Sequence, residues 1–519
     1  MRPNQRFGQK LRMQISKSEY LMFLKHPAWL WLKKHDKSKL PEPDASLQAL
    51  FDMGNEFEQY AEQLFPEATR LGFTDYKEYL DLPARTRQAL EGGAKTIFQG
   101  RFEADNITCI IDVLDRVSDT EFDLYEIKAS TEPKPEHEHD LAFQVIVLTG
   151  AGIKIRNISI INVNNQYVRD GEINVAEILK TTDVTGAVRG KIEKTESNIQ
   201  RAIRVVESSE RPDISPRYAA LGAFNEWMNI YKTLVDDVDK YSIYNLFSPG
   251  AKRIGELEDL GIKLIKDIPD DLKLSEKQQL QVQATKSDRQ YIDKEGIVEF
   301  LKNLKYPLYF LDYETFSGLI PAFDGMRPYQ NVPFQYSLHI LESPRAELKH
   351  KEYLHTDDTN PGKPLIEQLQ SDIGDSGSII VWYQSFEKKV NETLAGMFPE
   401  YVRFLLALND RIEDLIIPFA ENMFVDKDFF GSASIKNVMP ALVPELSYKP
   451  LAIQEGGSAS RIWMDTIFKN KNTDERDKTF SDLIEYCKMD TLAMVKILER
   501  LEKEVNNNIN GKHGQRQLF

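Results

Sequence analysis

Two acidic residues, separated by one position, end an apolar segment in the second half of the chain. Asp312 and Glu314 follow residues 308–311 in the stretch LYFLDYETF. Because side chains alternate across a strand, both carboxylates point to one face if this stretch is a strand. Two like charges at a buried strand end are costly unless a cation neutralises them. The pair predicts ligands for a divalent metal ion, and solvated acids at a strand end are the alternative.

Three later residues extend this predicted metal site. Glu387 follows the apolar strand segment SIIVWY, at the carboxyl end of a strand, where active sites of α/β sheets are usually found. Tyr486 and Asp490 are four positions apart, so they share one face of a predicted helix. Such a set suits Mg²⁺ or Mn²⁺ in a two-metal site for phosphodiester hydrolysis. Asp414 is the alternative to Glu387 as the further acidic residue of this site. A core position for Tyr486 and a solvated helix-start position for Glu387 are the alternatives.

A second group of residues that can do chemistry lies in the first half of the chain. Asp112 follows the apolar segment TCII, and Glu126 and Lys128 end the next predicted strand. Glu126 and Lys128 face the same way by the strand period. Two carboxylates can hold a divalent ion, and a nearby lysine can position water or neutralise charge developing on a phosphate. Exposed hairpin charges are the alternative interpretation.

Length and composition limit the class of protein. A chain of 519 residues predicts two to four domains, and 41% hydrophobic with 28% charged residues is typical of a soluble globular protein. No apolar run approaches a membrane span, so no membrane association is expected. Two cysteines cannot form a disulfide framework or a four-thiolate cluster, which favours the cytoplasm and predicts no iron–sulfur cluster. The net charge of −15 argues against a constitutive nucleic-acid coat, but not against an enzyme that binds a strand locally.

The order of predicted elements gives an α/β, multi-domain fold class. Strands and helices fill residues 1–184, with a polar loop predicted at 131–140. The C-terminal part, residues 296–507, again alternates strands with helices, and its stretch 400–419 is predicted to be helical. Residues 185–295 predict a helical connector. It contains a helix-hairpin-helix-like segment around Gly261, and the second helix of this segment is predicted to end near Ile268. The segment either binds phosphate or simply packs one helix against the other. Residues 508–519 read as a polar tail.

The C-terminal motifs resemble the DnaQ-like exonucleases of the RNase H-like superfamily, in the four-acid type with a tyrosine. The resemblance implies that Asp312, Glu314 and Asp490 bind metal, with Glu387 as fourth acid and Tyr486 orienting the attacking water. At the Glu387 position the superfamily usually has Asp. Four aromatic residues near this site are candidates for stacking on bases, with core packing as the alternative: Tyr313, Phe316, Tyr329 and Phe334.

The N-terminal motifs resemble the RecB-like branch of the PD-(D/E)XK nucleases, whose core is restriction-endonuclease-like. In that family a preceding helix supplies an acid or histidine, and a following helix supplies a glutamine. Glu58 in GNEFEQYA and Gln144 in DLAFQVIVL match these two places. The resemblance implies metal binding by Glu58, Asp112 and Glu126, with Lys128 as a catalytic residue.

Longer stretches resemble the bacterial family that carries domain of unknown function 2779. They include ISKSEYLMFLKHPAWLWL, EIKASTEPKPEHEHDLAFQ and YPLYFLDYETFSGLIPAFDGMRPYQNVPFQYSLHI. This resemblance implies a RecB-like module joined to an RNase H-like one. We therefore expect a metal-dependent, 3′–5′ exonuclease-like enzyme that hydrolyses DNA or RNA, with single-stranded ends as the favoured substrate. A catalytically inactive nucleic-acid-binding or scaffold protein built on nuclease folds is the alternative.

Overall fold

The computed structural model describes residues 14–42, 45–469 and 472–506. The predicted polar tail at residues 508–519 lies outside them. The chain divides into two compact units, residues 1–238 (unit 1) and residues 239–519 (unit 2). Both units combine helices with mixed sheets, so the predicted α/β, multi-domain class is confirmed at this level. No helix among the described residues has both the length and the apolar character needed to span a bilayer.

Unit 1 contains nine helices and nine strands among its described residues. In chain order they are β1 (Ile15–Ser16), α1 (Lys17–Lys25), α2 (Pro27–His35), α3 (Ala45–Ala61), β2 (Thr69–Arg70), α4 (Tyr76–Glu91), β3 (Thr96–Phe98), β4 (Arg101–Ala104), β5 (Ile107–Ile110), β6 (Val113–Arg116), β7 (Glu121–Lys128), α5 (Pro135–Gly150), β8 (Lys154–Val163), α6 (Val175–Ile178), β9 (Leu179–Asp183), α7 (Thr185–Arg189), α8 (Ile192–Glu207) and α9 (Phe224–Leu234).

Two sheets organise unit 1. The larger has the order β2-β3-β6-β7-β8-β9, and the smaller has the order β1-β5-β4. Strand β7 pairs antiparallel with β6 and parallel with β8, so it is a central strand. Helix α8 lies beyond the predicted boundary at residue 184, yet its Ile199 and Ala202 belong to the same core as Leu124 of β7 and Phe143 of α5.

Local sequence signals explain several element ends in unit 1. Ser16 and Glu19 form the capping box of α1, because the Ser16 hydroxyl accepts from the Glu19 N–H and the Glu19 carboxylate accepts from the Ser16 N–H. The stretch 131–140, predicted to be a loop, is helical from Pro135 onward. Proline suits the first turn of a helix, where its missing N–H costs nothing, and it stands there in α5.

Unit 2 contains ten helices and seven strands among its described residues. They are α10 (Gly250–Asp259), α11 (Glu276–Ser287), β10 (Tyr291–Ile292), α12 (Lys294–Lys302), β11 (Leu308–Phe316), β12 (Val332–Leu341), β13 (Lys349–Leu354), α13 (Gly362–Asp372), β14 (Ser378–Val381), α14 (Gln384–Met397), α15 (Val402–Asn409), β15 (Ile412–Asp414), α16 (Ile417–Ala420), β16 (Phe424–Val425), α17 (Ile435–Leu442), α18 (Gly456–Phe468) and α19 (Thr473–Asn506).

The main sheet of unit 2 has the order β13-β12-β11-β14-β15. Strand β11 is central, antiparallel to β12 and parallel to β14, and the register of β11 with β12 shifts between Glu314 and Thr315. Such bulges bend a strand and re-aim its side chains. Residues of α17 and α19, such as Met439 and Leu498, pack with Phe310 of β11 in one apolar cluster.

Two sequence predictions for unit 2 are wrong in detail. The segment after Gly261 forms a single 3₁₀ turn, Ile265–Asp267, rather than a second helix, because Pro269 follows at once and cannot continue it. Residues 412–414, predicted to be helical, form strand β15, which pairs in parallel with β14. Ile412 lies opposite Ile379 of β14, and this tertiary pairing overrides local helix propensity.

Candidate functional site

The acid pair of β11 lies in the interior of unit 2. Asp312 and Glu314 are two apart on the strand, and the side chain of Glu314 is buried. Burial raises the pKa of Asp312 well above its ordinary value, and the charge of Asp490 adds to this shift. Burial likewise raises the pKa of Glu314, with further contributions from Asp312 and Asp490. The cause of these shifts is a set of carboxylates that repel one another in a desolvated place.

Helix α19 supplies the next three side chains of this site. Asp490 is buried and accepts a hydrogen bond from the hydroxyl of Tyr448, while burial raises its pKa to about 6. One ligand atom each of Asp312, Glu314 and Cys487 lies within 4.8 Å of the other two. Helix α19 therefore brings a carboxylate and a thiol to the acids of β11.

The phenol of Tyr486 belongs to the same cluster. A Cβ atom built on Gly456, the first residue of α18, would lie 3.8 Å from the Tyr486 hydroxyl and 3.6 Å from Glu314 Oε2. The hydroxyl and this carboxylate thus border the same small volume beside the start of α18. Burial raises the pKa of Tyr486, and the charges of Asp490 and Glu314 add to the effect, so the phenol keeps its proton.

Glu387 and Asp414 have different environments. Glu387 on α14 is 2% exposed, and its Oε2 has no hydrogen-bond partner among the described residues. Burial raises its pKa, and the charge of Asp312 contributes to the shift. Asp414 instead accepts from the backbone N–H groups of Tyr383 and Gln384 at 2.9 and 2.8 Å. Asp414 therefore holds the start of α14, while Glu387 is the acid with a free oxygen.

Tyr383 is held in an unusual backbone conformation between β14 and α14. Its φ is +86°, in the left-handed region, which costs a non-glycine residue about 1–3 kcal/mol. The two hydrogen bonds to Asp414 stabilise this turn. The turn starts α14 directly after β14, which places Glu387 in the first turn of the helix.

The carboxylates of unit 2, taken by themselves, fit a hard divalent cation. Among the described residues, no salt bridge neutralises the carboxylates Asp312, Glu314, Glu387 and Asp490, although the charge of exposed Lys436 lowers the pKa of Glu314 and Asp490. Buried charges of one sign normally have a partner or coordinate a metal. The free Glu387 oxygen and the carboxylate set therefore suit Mg²⁺ or Mn²⁺.

The stability of unit 2 without metal should fall as the pH rises. The pKa of Asp490 is raised to about 6, so the folded protein keeps a proton that the unfolded chain loses near pH 4. That stabilisation is present below about pH 4 and is lost as the pH rises through about 6. We expect Mn²⁺ to raise the melting temperature by a few degrees at pH 8 and by much less at pH 5, because metal binds the deprotonated carboxylates. Thermal unfolding with EDTA or Mn²⁺ at both pH values measures this, and equal stabilisation at both would contradict it.

Glu126 of unit 1 is surrounded by hydrogen-bond donors. Lys17 and Lys128 donate to its Oε1 at 3.0 and 2.6 Å, and Gln144 donates to its Oε2 at 2.8 Å. Burial opposes the charged form, but the ammonium groups of Lys128 and Lys17 hold the pKa of Glu126 well below its usual range. Burial also opposes the charge of Lys128, yet Glu126 and Asp140 hold the pKa of that lysine above its ordinary value.

Asp112 lies in the bend between β5 and β6, beside Glu126. Its Oδ2 accepts from the backbone N–H of Ile127 at 2.8 Å, and Lys17 Nζ lies 3.8 Å from its Oδ1. Burial raises the pKa of Asp112 to about 7, and the charge of Glu126 adds to the shift. Asp112, Glu126 and Lys128, predicted from the sequence, are therefore close together.

Glu58 stands at the edge of this group. It lies on α3 and accepts from Gln99 Nε2 at 3.2 Å. Burial raises its pKa, and the charge of Glu126 is the next cause, so the two carboxylates act on each other. Within the described residues, no three ligand atoms of unit 1 lie as close together as those of unit 2. Two ammonium groups pair with Glu126, and the metal roles of Glu58, Asp112 and Glu126 stay predictions.

The structure adds residues that the sequence did not reveal. Lys17 precedes Glu126 by 109 positions and carries no motif that would identify it. Asp140 accepts from Lys128 at 3.1 Å and from Gln144 at 3.0 Å. It lies four positions before Gln144, on the same helix face, so the helical period offered a signal for it. In unit 2, no sequence pattern indicated that the Tyr448 hydroxyl contacts Asp490.

The predicted stacking aromatics of unit 2 are mostly core residues. Tyr313, Phe316 and Phe334 are buried, and Tyr313 donates to Asn391 at 3.0 Å. Phe334 stacks on Trp463 with ring centroids 4.6 Å apart. These three rings cannot reach a nucleic-acid base without disrupting the core.

Fold and site together define an α/β protein of two compact units whose second unit buries a cluster of carboxylates at a central strand. Residues 309–434 match the model of a family described as "Domain of unknown function (DUF2779)". The family relationship predicted from the sequence is thereby confirmed for this segment. The segment contains Asp312, Glu314, Glu387 and Asp414 but ends before α19.

Two curated relatives are similar to part of the chain. "Uncharacterized protein MG366" of Mycoplasma genitalium is 24% identical over 225 residues, which are 40% of this chain and 33% of the relative. "Uncharacterized protein MG366 homolog" of Mycoplasma pneumoniae is 25% identical over 232 residues, which are 40% of this chain and 35% of the relative. The matched region spans about a third of these relatives' length.

Proposed function

We propose that this protein is a divalent-metal-dependent nuclease, with the carboxylate cluster of unit 2 as its hydrolytic site. The observation that carries the proposal is the convergence of Asp312, Glu314 and Asp490 in a buried place without a salt bridge among the described residues. The chain keeps a costly set of like charges on a central strand and a long helix. Such sets are typical of sites that bind cations for phosphoryl chemistry.

The proposal includes two finer assignments of fold. In unit 2, the sheet order β13-β12-β11-β14-β15 with acids on its central strand supports an RNase H-like domain of the DnaQ-like type. In unit 1, the neighbouring Asp112, Glu126 and Lys128 around the central strand β7 support a PD-(D/E)XK module of the RecB-like type. Both assignments agree with the motifs in the sequence.

Each side chain of unit 2 has a distinct proposed role. Asp312, Glu314 and Asp490 would hold Mg²⁺ or Mn²⁺, with Glu387 as the fourth acid. Bound divalent ions would neutralise the charge of a phosphodiester and increase the acidity of a water molecule. The Tyr486 hydroxyl keeps its proton, so it can donate a hydrogen bond toward the volume it shares with Glu314 and orient an attacking water there.

A binding role without cleavage is the second proposal, and it concerns unit 1. Lys17 and Lys128 both contact Glu126, so ammonium groups neutralise the carboxylate that a metal ion would use. The second proposal is therefore that unit 1 does not cleave but holds nucleic acid, while unit 2 cuts single-stranded DNA or RNA ends. Both cysteines are buried free thiols, which agrees with the cytoplasm as the proposed location.

A cleavage assay tests the proposed function. End-labelled single- and double-stranded DNA and RNA are incubated with Mn²⁺ or Mg²⁺ and wild-type protein, or with Asp312→Asn or Lys128→Met. We expect cleavage of a single-stranded substrate, lost by about a hundredfold or more in Asp312→Asn and, at saturating substrate, nearly unchanged in Lys128→Met. Loss in Lys128→Met alone would assign the chemistry to unit 1. No cleavage of any substrate by wild type would favour the scaffold alternative.

A further inference from the structure

A buried thiol is part of the carboxylate cluster of unit 2. Cys487 lies on α19 between Tyr486 and Asp490 and is fully buried. Its Sγ lies 3.6 Å from Asp312 Oδ2 and 3.8 Å from the backbone oxygen of the same residue. The thiol is thus directed at a predicted metal ligand rather than into an apolar part of the core.

The distances suit coordination of one ion by all three groups. One ligand atom each of Asp312, Glu314 and Cys487 lies within 4.8 Å of the others. Donors around one tetrahedral or octahedral ion lie on the order of 3–4 Å apart, because metal–ligand bonds are about 2.0–2.3 Å long. Side-chain rotations that shorten the distances between these atoms by roughly 1 Å would therefore let all three bind one ion.

A second observation points to a ligand at this place. The Oε2 atom of Glu387 has no hydrogen-bond partner among the described residues, although this side chain is 2% exposed. Its carboxylate is near enough to Asp312 for their charges to interact. An unpaired buried polar atom is costly, and a bound cation would satisfy it. Cys487 contacts Asp312, and the charge of Glu387 acts on the same carboxylate, so a cation bound at Asp312 would lie near both groups.

We propose that Cys487 is a metal ligand of unit 2, which gives the site a preference for thiophilic divalent ions such as Zn²⁺ and Co²⁺ over Mg²⁺. This proposal rests on the metal site of the proposed function and specifies its metal class. A thiol loses its proton to solvent when it binds such an ion as a thiolate. Sulfur ligands favour Zn²⁺ and Co²⁺, whereas a set of carboxylates and water alone suits Mg²⁺ and Mn²⁺.

Cobalt spectroscopy on the full chain tests the proposal. Purified wild-type protein is titrated with Co²⁺, while absorbance records the thiolate-to-cobalt charge-transfer band and the visible d–d bands. We expect both in wild type, and loss of the charge-transfer band in Cys487→Ser and Cys487→Ala. Cys109→Ser is the matched control, since Cys109 is the other buried thiol and lies in unit 1. This control should keep the band.

Calorimetry adds a readout of affinity. In Cys487→Ser we expect binding of Zn²⁺ and Co²⁺ to weaken by about tenfold or more, and Mn²⁺ binding to change by less than about threefold. Retained Mn²⁺ binding also shows that the variant is folded.

The outcomes separate this inference from the proposed function. Binding of Co²⁺ by wild type with d–d bands but no charge-transfer band would overturn the role of Cys487 and leave the carboxylate site intact. A band that survives in Cys487→Ser but disappears in Cys109→Ser would also overturn it. Absence of any Co²⁺, Zn²⁺ or Mn²⁺ binding would instead contradict the metal site of the proposed function, on which this inference depends.

Discussion

Replacing Asp490 with Asn is expected to lower the rate of cleavage by about 10²–10³-fold while making the metal-free protein more stable. The amide has the same shape, and its oxygen can still accept from the Tyr448 hydroxyl. It removes one of the charges that raise the pKa values of Asp312 and Glu314, so mutual repulsion in the buried cluster decreases. The loss of rate follows from the loss of a charged metal ligand. We expect a gain of about 1 kcal/mol in the free energy of unfolding, the size commonly seen when a functional site is neutralised.

Two measurements on the same preparation check this prediction. Cleavage rates are compared in Mn²⁺, and thermal unfolding is compared in EDTA at pH 8, where the carboxylates of wild type carry the most charge. Glu485→Gln is the matched control, since Glu485 is an exposed acid on the same helix, one position before Tyr486. The control should change neither quantity. If Asp490→Asn loses activity but is also less stable than wild type in EDTA, the acids serve the structure and the metal site is the wrong explanation.

Neutralising a buried carboxylate is expected to have opposite effects on the stability of the two units. In unit 2, carboxylates face each other without a salt bridge among the described residues, so removing a charge relieves repulsion. In unit 1, Glu126 is paired with two lysines, so removing its charge leaves Lys128 with Asp140 alone and Lys17 with the more distant Asp112. A buried carboxylate therefore stabilises unit 1 and destabilises metal-free unit 2. This contrast supports the proposed hydrolytic role for unit 2, because only its carboxylates lack a counter-charge among the described residues.

Residue spacing predicted the parts of each site that lie within one element. The strand period put Asp312 and Glu314 on one face of β11, and the helix period joined Tyr486 to Asp490 on α19. These periods depend only on the local backbone conformation, so they can be predicted directly from the sequence. The α/β multi-domain class followed from the same alternation of apolar patterns and is confirmed at that level.

Contacts between distant segments could not be predicted in this way. Lys17 reaches Glu126 only because α1 begins at the end of β1, which pairs in parallel with β5. The sequence pattern predicts a helix at Asp414, but β15 pairs with β14 and turns that carboxylate toward the start of α14. Both depend on tertiary pairing, which no single-sequence pattern encodes.

Replacing Glu126 with Leu is expected to destabilise unit 1 by about 3–5 kcal/mol. The substitution leaves Lys17 and Lys128 facing each other without the carboxylate that pairs with both, in a place where Glu126 itself is fully buried. Asp140 and the more distant Asp112 then face the two ammonium groups without the central carboxylate, and removing a partner from a buried ionic network is costly because it leaves charge less compensated. Glu121→Ala is the matched control on the same strand, because Glu121 pairs with exposed Lys154 and such surface pairs contribute little to stability.

A double substitution separates the charge effect from the loss of packing. Urea unfolding, followed by hydrogen exchange in peptides from β7 and α5, reports on unit 1 independently of unit 2. If unpaired ammonium charge is the cause, Glu126→Leu combined with Lys17→Met should recover at least about half of the lost stability, since the pair of facing charges is removed. If the double variant is as unstable as Glu126→Leu, or if the single variant costs no more than the Glu121 control, the lysines do not depend on Glu126. The ionic network would then not be what holds β7 to α1, and the binding role inferred for unit 1 from its two lysines would lose its structural basis.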